Sequence, residues 1–174
     1  MTFSRFDHEC MARALRLARN GLYTTDPNPR VGCVIAGEGR VYGAGWHARA
    51  GGPHAEVEAL RQAGARARGK TAYITLEPCG HQGRTPPCTH ALLEAGVSRV
   101  VIAVEDPSPE VNGEGLRQLI EAGVTVERGL MAGEAESLNP GFLMRMRKGR
   151  PWIRIKTAIS LDGRTALQNG DSKW

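Results

Sequence analysis

The sequence predicts an α/β protein, a sheet layered by helices. Two observations in its 174 residues carry this. Short β-rich runs alternate with amphipathic helical stretches, a pattern that buries a sheet under helices. The run RVVIAV (99–104) is almost wholly apolar, as a parallel strand covered on both faces must be.

The elements follow in order. Asp7 to Asn20 reads as a helix, because Met11, Ala14, Leu15 and Ala18 recur at helical spacing and Gly21 stops the run. DPNPR (26–30) is a turn-rich approach to a strand. Val31 to Ala36 is a short apolar strand, 37–39 turn the chain, and Arg40 to His47 is the hairpin partner. GGP (51–53) introduces a helix over His54 to Gln62. Thr71 to Leu76 is a strand, and Pro86-Pro87 opens a helix reaching about Ala95. After RVVIAV come a helix over Gly115 to Ala122, a stop at Gly123 and an edge strand over Val124 to Glu127. A boundary is expected near Lys148, giving a first domain over 1–147. A linker and a further strand, WIRIKTAIS, would follow in 148–174. So short a tail cannot bury a core of its own.

Composition bounds the function. Apolar residues make up 41%, enough for an ordinary core, and aromatics only 5%. Scarce aromatics argue against a platform that stacks the bases of an extended single strand. The net charge of +5 suits an anionic ligand. The longest basic stretch, 145–150, is short and interrupted, so no nucleic-acid groove is expected. No long apolar run suggests a membrane span, and the N-terminus has no signal-peptide core. A cytoplasmic protein is therefore expected, in which the four cysteines stay reduced rather than pair as two disulfides. Cys10, on a helical apolar face, and Cys33, in an apolar strand, read as core residues.

Three fragments converge on one chemistry: His54-Ala55-Glu56, Pro78-Cys79, and Cys88 closing PCGHQGRTPPC. One His and two Cys can hold zinc and leave its fourth position to water. A Glu two residues from the His can carry protons without binding the metal, which is the pattern of zinc-dependent base deaminases. Two residues apart in a helix point about 200° away from each other. His54 and Glu56 can thus share a site only where the helix begins and His54 is not yet helical. Cys88, after Pro86-Pro87, falls at a second helix start, where free N–H groups favour a thiolate. The spacing differs from HExxH, so the zinc-protease reading is excluded. A structural zinc site would need a fourth protein ligand, for which only His81 and His90 are candidates. His81 sits beside Arg84 and reads as a substrate contact. His47, at a strand end, is open between a contact and a plain surface or core residue.

At these residues the chain resembles the bifunctional deaminase–reductase family of riboflavin biosynthesis. TLEPCGHQGRTPPC (75–88) carries the expanded spacing between the two cysteines that marks this branch. TTDPNPRVGCVI, GWHARAGGPHAEVEAL and LNPGFLMRMRKGRPWIRIKTAISLDGRTA extend the likeness over nearly the whole sequence. The resemblance implies a three-layer α/β/α, cytidine-deaminase-like fold with a mixed central sheet. It implies zinc on His54, Cys79 and Cys88, with Glu56 moving protons. Asn28, His47, His81, Arg84 and Asp106 would contact substrate, and Arg84, often Lys in relatives, could meet a phosphate. The family often has Asn where this chain has Ser108. The implied substrate is 2,5-diamino-6-ribosylamino-4(3H)-pyrimidinone 5′-phosphate, a small pyrimidine nucleotide, and a homo-oligomer is compatible with it. The tail resembles the opening of an NADPH-dependent reductase domain, with Ala158, Ser172 and Trp174 at positions lining that cofactor site. A complete member would carry about 200 further residues, so the chain is expected to be a truncated form. Two rival readings are a nucleic-acid-editing deaminase and a zinc-stabilised binding module without catalysis.

Overall fold

A computed structural model of the chain describes residues 2–81, 86–108, 111 and 113–172. Its sheet has five strands: β1 (Gly32–Gly37), β2 (Arg40–Trp46), β3 (Thr71–Ile74), β4 (Arg99–Ile102) and β5 (Thr125–Arg128), in the order β2-β1-β3-β4-β5. The hairpin β1–β2 and the pair β1–β3 are antiparallel, whereas β3, β4 and β5 run parallel. The sheet is therefore mixed, with β5 at one edge as the sequence suggests.

Helices cover both faces: α1 (Arg5–Ala18), α2 (Ala55–Ala63), α3 (Cys88–Glu94), α4 (Glu114–Glu121), α5 (Ala132–Leu138) and α6 (Pro140–Lys148). Alternation along β1 assigns the layers. Cys33 and Ile35 face α2, α3 and α4 through Ala55, Ala59, Leu92, Leu116 and Leu119. Val34 and Ala36 face α1 and α5 through Met11, Ala14, Leu15 and Ala135. Cys10 and Cys33 are both buried in this core.

α1 starts two residues before the sequence suggests, because Asp7 is not its cap. Ser4 is: its Oγ accepts from the Asp7 N–H (3.1 Å), and Asp7 Oδ2 accepts from the Ser4 N–H (2.8 Å). This reciprocal box satisfies two otherwise orphan donors. Asp7 Oδ1 also accepts from Tyr73 Oη (2.7 Å) and Arg99 Nη1 (2.6 Å), tying α1 to β3 and β4.

α2 lies very close to the hairpin. A methyl group on Gly43 would sit 2.1 Å from the Ala59 carbonyl oxygen, and one on Gly45 2.6 Å from that of Ala55. Only residues without Cβ allow this approach, which fixes where the first turn of α2, and with it His54, meets the sheet.

Two α-helices were not read from the sequence, α5 and α6. They are held to the DPNPR turn by an exchange between Arg30 and Asn139. The Arg30 N–H donates to Asn139 Oδ1 (2.8 Å), and Asn139 Nδ2 donates to the Arg30 carbonyl (2.9 Å). One expectation fails: residues 152–160, the run WIRIKTAIS, form neither strand nor helix and are exposed. A strand needs a neighbour for its N–H and C=O groups, and among the described residues none lies alongside. No helix of the described residues is long and apolar enough to cross a membrane.

Candidate metal centre and substrate cleft

The centre forms where α2 and α3 begin. His54 is the N-cap of α2, with φ −75° and ψ 161°, so its side chain leaves the backbone before the helix starts. Glu56 lies one turn-fraction later, inside the helix and buried. The extended conformation at His54 removes the opposition that a regular helix would impose on this pair. Cys88 is the first residue of α3. Its backbone N–H donates to Cys79 Sγ (3.4 Å), and the Thr89 N–H donates to the Cys79 carbonyl (3.2 Å). The helix start thus both positions Cys79 and supplies the field a thiolate requires.

His54 Nδ1 lies 3.2 Å from Cys88 Sγ and 3.6 Å from Cys79 Sγ, and one ligand atom from each residue falls within 4.8 Å of the others. One imidazole and two thiols in this proximity are a zinc donor set, and the three leave a fourth position for a non-protein ligand. Among the described residues no fourth side chain joins them. His90 instead faces Glu94 on the exposed side of α3. The hydrogen bond from the Cys88 thiol and those from the His54 ring and the Cys88 N–H hold the Cys79 thiol well below its usual range. Its bond to Cys79, together with burial, pushes Cys88 up. Burial pushes the Glu56 carboxyl up to about 7, against the opposing pull of His54. A carboxyl poised there can both accept and donate a proton near neutrality.

A cleft of about 540 Å³ opens above the centre, lined by His54, Glu56 and Cys79 and also by Asn28, His47, His81, Asp106 and Ser108. Its size suits a nucleotide-sized ligand. His47 is buried, with its ring edge-on to that of His54 at 5.4 Å. His47 Nδ1 is 2.9 Å from the Pro53 carbonyl. A carbonyl only accepts, so Nδ1 carries the hydrogen and Nε2 accepts from Asn28 Nδ2 at 3.1 Å. Burial holds the ring below its usual pKa. The pair fixes which end of the Asn28 amide faces the cleft.

Asp106 is buried, which raises its carboxyl, and its Oδ1 accepts from the Ser108 N–H (2.8 Å). Ser108 therefore closes a tight turn through its backbone. His81 also lines the cleft, with Nδ1 buried and without a partner among the described residues. Arg84 and Trp174 lie outside the described residues. Ala158 and Ser172 are exposed and do not line the cleft.

Among the cleft residues that the sequence reading did not assign, four carry side chains that bear on the site. Phe142, Arg145 and Met146 come from α6. The fourth, Glu77, is buried, and its Oε2 accepts from the backbone N–H groups of Asp106 (3.2 Å) and Gly113 (3.3 Å). It ties the end of β3 to the Asp106 loop and to the start of α4. α4 approaches closely there as well: a methyl on Gly115 would sit 2.1 Å from the Pro78 carbonyl oxygen. The fixed spacing TLEPC carried the only sequence signal for Glu77, and it was read for the cysteine alone.

An α/β/α sandwich with a His/Cys/Cys group and an adjoining buried Glu at two helix starts defines a zinc-dependent deaminase class. Residues 4–104 match the family model described as "Cytidine and deoxycytidylate deaminase zinc-binding region". The chain is 60% identical over 168 residues to the riboflavin biosynthesis protein RibD of Escherichia coli, covering 97% of this chain and 46% of that protein. It is 48% identical over 145 residues to the diaminohydroxyphosphoribosylamino-pyrimidine deaminase of Buchnera aphidicola, covering 83% of this chain and 99% of that one. The structure of Acinetobacter baumannii RibD superimposes with a TM-score of 0.93 at 54% identity, over 98% of this chain and 48% of that one. The chain belongs to the RibD deaminase family. It spans about half the length of the RibD relatives it matches, and the match lies in their deaminase portion.

Proposed function

We propose that the chain hydrolyses the 2-amino group of 2,5-diamino-6-ribosylamino-4(3H)-pyrimidinone 5′-phosphate, releasing ammonia and 5-amino-6-(5-phosphoribosylamino)uracil. The observation that carries the reading is the buried Glu56 beside the three-residue His54–Cys79–Cys88 group at the floor of a nucleotide-sized cleft. The Buchnera relative, a diaminohydroxyphosphoribosylamino-pyrimidine deaminase, supports the substrate. His54, Cys79 and Cys88 would hold zinc. When bound, zinc supplies Lewis acidity that makes water a nucleophile near neutral pH.

The chain's own residues do the rest. Asn28, oriented by His47, and Asp106, oriented by Glu77 and Ser108, hold the pyrimidine with its amino-bearing carbon over the floor. Glu56 takes a proton from the attacking water and passes it to the adjacent ring nitrogen. It then takes the second proton and delivers it to the amino group, which leaves as ammonia while the carbonyl forms. The proton count closes on one water consumed. His81 contacts substrate from the loop between β3 and α3.

The four thiols are unpaired, which suits a reducing compartment, and we place the reaction in the cytoplasm on a free nucleotide rather than a nucleic acid. The solved Thermotoga maritima relative, 41% identical and covered to 49% of its length, is described as a deaminase and 5-amino-6-(5-phosphoribosylamino)uracil reductase, and the tail from 148 onward resembles the opening of such a reductase domain. Ammonia release from the diaminopyrimidine nucleotide, compared with that from dCMP and from an RNA hairpin, tests the proposal. Release from the first alone is expected, and preference for either of the others would overturn it.

A further inference from the structure

The cleft is lined by three carboxyls, those of Glu56, Glu77 and Asp106. Among its described residues it has one side chain of fixed positive charge, Arg145. A phosphate monoester near neutral pH carries close to two negative charges, and Glu56, Glu77 and Asp106 offer it no fixed positive charge. The same acids and the zinc ligands are where the reacting ring must sit. The phosphate end of a nucleotide is therefore directed away from the floor, toward the exposed end of the cleft. Arg145 is exposed there, in the last turn of α6.

Its surroundings hold it ready. Nη2 donates to the Pro27 carbonyl at 3.3 Å, one residue before Asn28, so the guanidinium bridges α6 and the turn that presents the Asn28 amide. This is its one hydrogen bond among the described residues. Two other cations, Arg147 and Arg30, are committed elsewhere. Arg147 pairs with Glu136, and Arg30 donates to the Leu138 and Leu22 carbonyls. The helix carrying Arg145 is itself pinned by the Arg30–Asn139 exchange. A planar guanidinium with most of its N–H donors uncommitted matches two oxygens of one phosphate at once.

We propose that Arg145 binds the 5′-phosphate of the substrate and thereby selects nucleotide over nucleoside. This rests on the reaction proposed above. Steady-state deamination of the phosphorylated pyrimidine and its dephosphorylated analogue tests it in the zinc-loaded chain, its R145A variant and its R145K variant. Arg145→Ala should lower kcat/KM for the phosphorylated compound about tenfold or more, mainly through KM, and lower that for the analogue far less. Arg145→Lys should restore part of the loss, since it keeps the charge without the planar fork. Equal losses on both compounds, or none on either, would overturn the assignment. A titration with ribose 5-phosphate reads the same contact without turnover. Binding to the wild type that weakens in R145A upholds the site, and binding that is absent or equal in the two overturns it. A wild type that binds this probe but deaminates neither pyrimidine would sink the proposed reaction while sparing the anion site.

Discussion

Gly115→Ala exposes how tightly the fold holds the loop that carries Cys79. In an open helix this change stabilises by up to about 1 kcal/mol, because alanine is the better helix former. At Gly115 the added methyl carbon would lie 2.1 Å from the Pro78 carbonyl oxygen and 3.4 Å from Glu77 Oε1. Ordinary contact needs about 3.5 Å, so α4 and the Pro78 backbone must separate by more than an ångström. The obstructing atom is main chain and cannot rotate away. Overpacking of this kind costs about 1–3 kcal/mol. Set against the helix gain, the net effect is a loss of about 0–2 kcal/mol, at most roughly 8 °C in Tm for a domain of this size, and the deficit against a helix alanine that meets nothing is the full cost. Pro78 immediately precedes Cys79, so the same displacement should weaken zinc affinity. Gly133→Ala is the control, because a methyl there meets nothing within 4 Å and α5 should be unharmed. Urea unfolding of the metal-free proteins and competitive zinc titration would measure both effects. A G115A variant as stable as G133A, with unaltered zinc affinity, would refute the reasoning.

Three further outcomes are expected. Cys79→Ser and Cys88→Ser should each lose most bound zinc by elemental analysis, since a hydroxyl is a far poorer ligand, while Cys10→Ser, whose thiol lies in the core away from the centre, should keep it. Glu56→Gln should retain zinc and fold but lose at least ~10²-fold in kcat, the lower end for a general acid–base group; near-normal turnover would assign the protons to another residue. Asp7→Asn should destabilise the fold by about 2 kcal/mol at pH 7, as charge-assisted bonds from Arg99 and hydrogen bonds from Tyr73 and Ser4 weaken. Burial alone would raise the Asp7 carboxyl, but those bonds outweigh it and hold its pKa well below the usual value. Its stabilisation is therefore complete above the unfolded pKa near ~3.9 and fades as pH falls toward the folded one. The wild-type advantage in urea unfolding should shrink steadily below about pH 4, and an advantage independent of pH would contradict the network.

What could be read from the sequence was local. The apolar run at β4, the hairpin signals around Gly37–Gly39 and the stop at Gly123 each act over a few residues. The His54–Glu56 spacing worked because helical geometry forbids the pair anywhere but at a helix start. What escaped depends on distant partners. Glu77 bonds to residues 29 and 36 positions away, and Arg145 reaches back 118. α5 and α6 are short, with only Ala135 and Leu143 fully buried, so they lack a strong apolar period. Residues 152–160 show the converse: β-rich composition makes no strand without a neighbour to pair with.

Zinc-dependent ammonia release is the most direct measure of the central claim. The chain would be stripped of metal by a chelator, then titrated with zinc while ammonia release from the diaminopyrimidine nucleotide is followed. The account predicts no turnover in the stripped protein and recovery that saturates at one zinc per chain. Full turnover without metal, or zinc uptake at His54, Cys79 and Cys88 with no ammonia released, would contradict it.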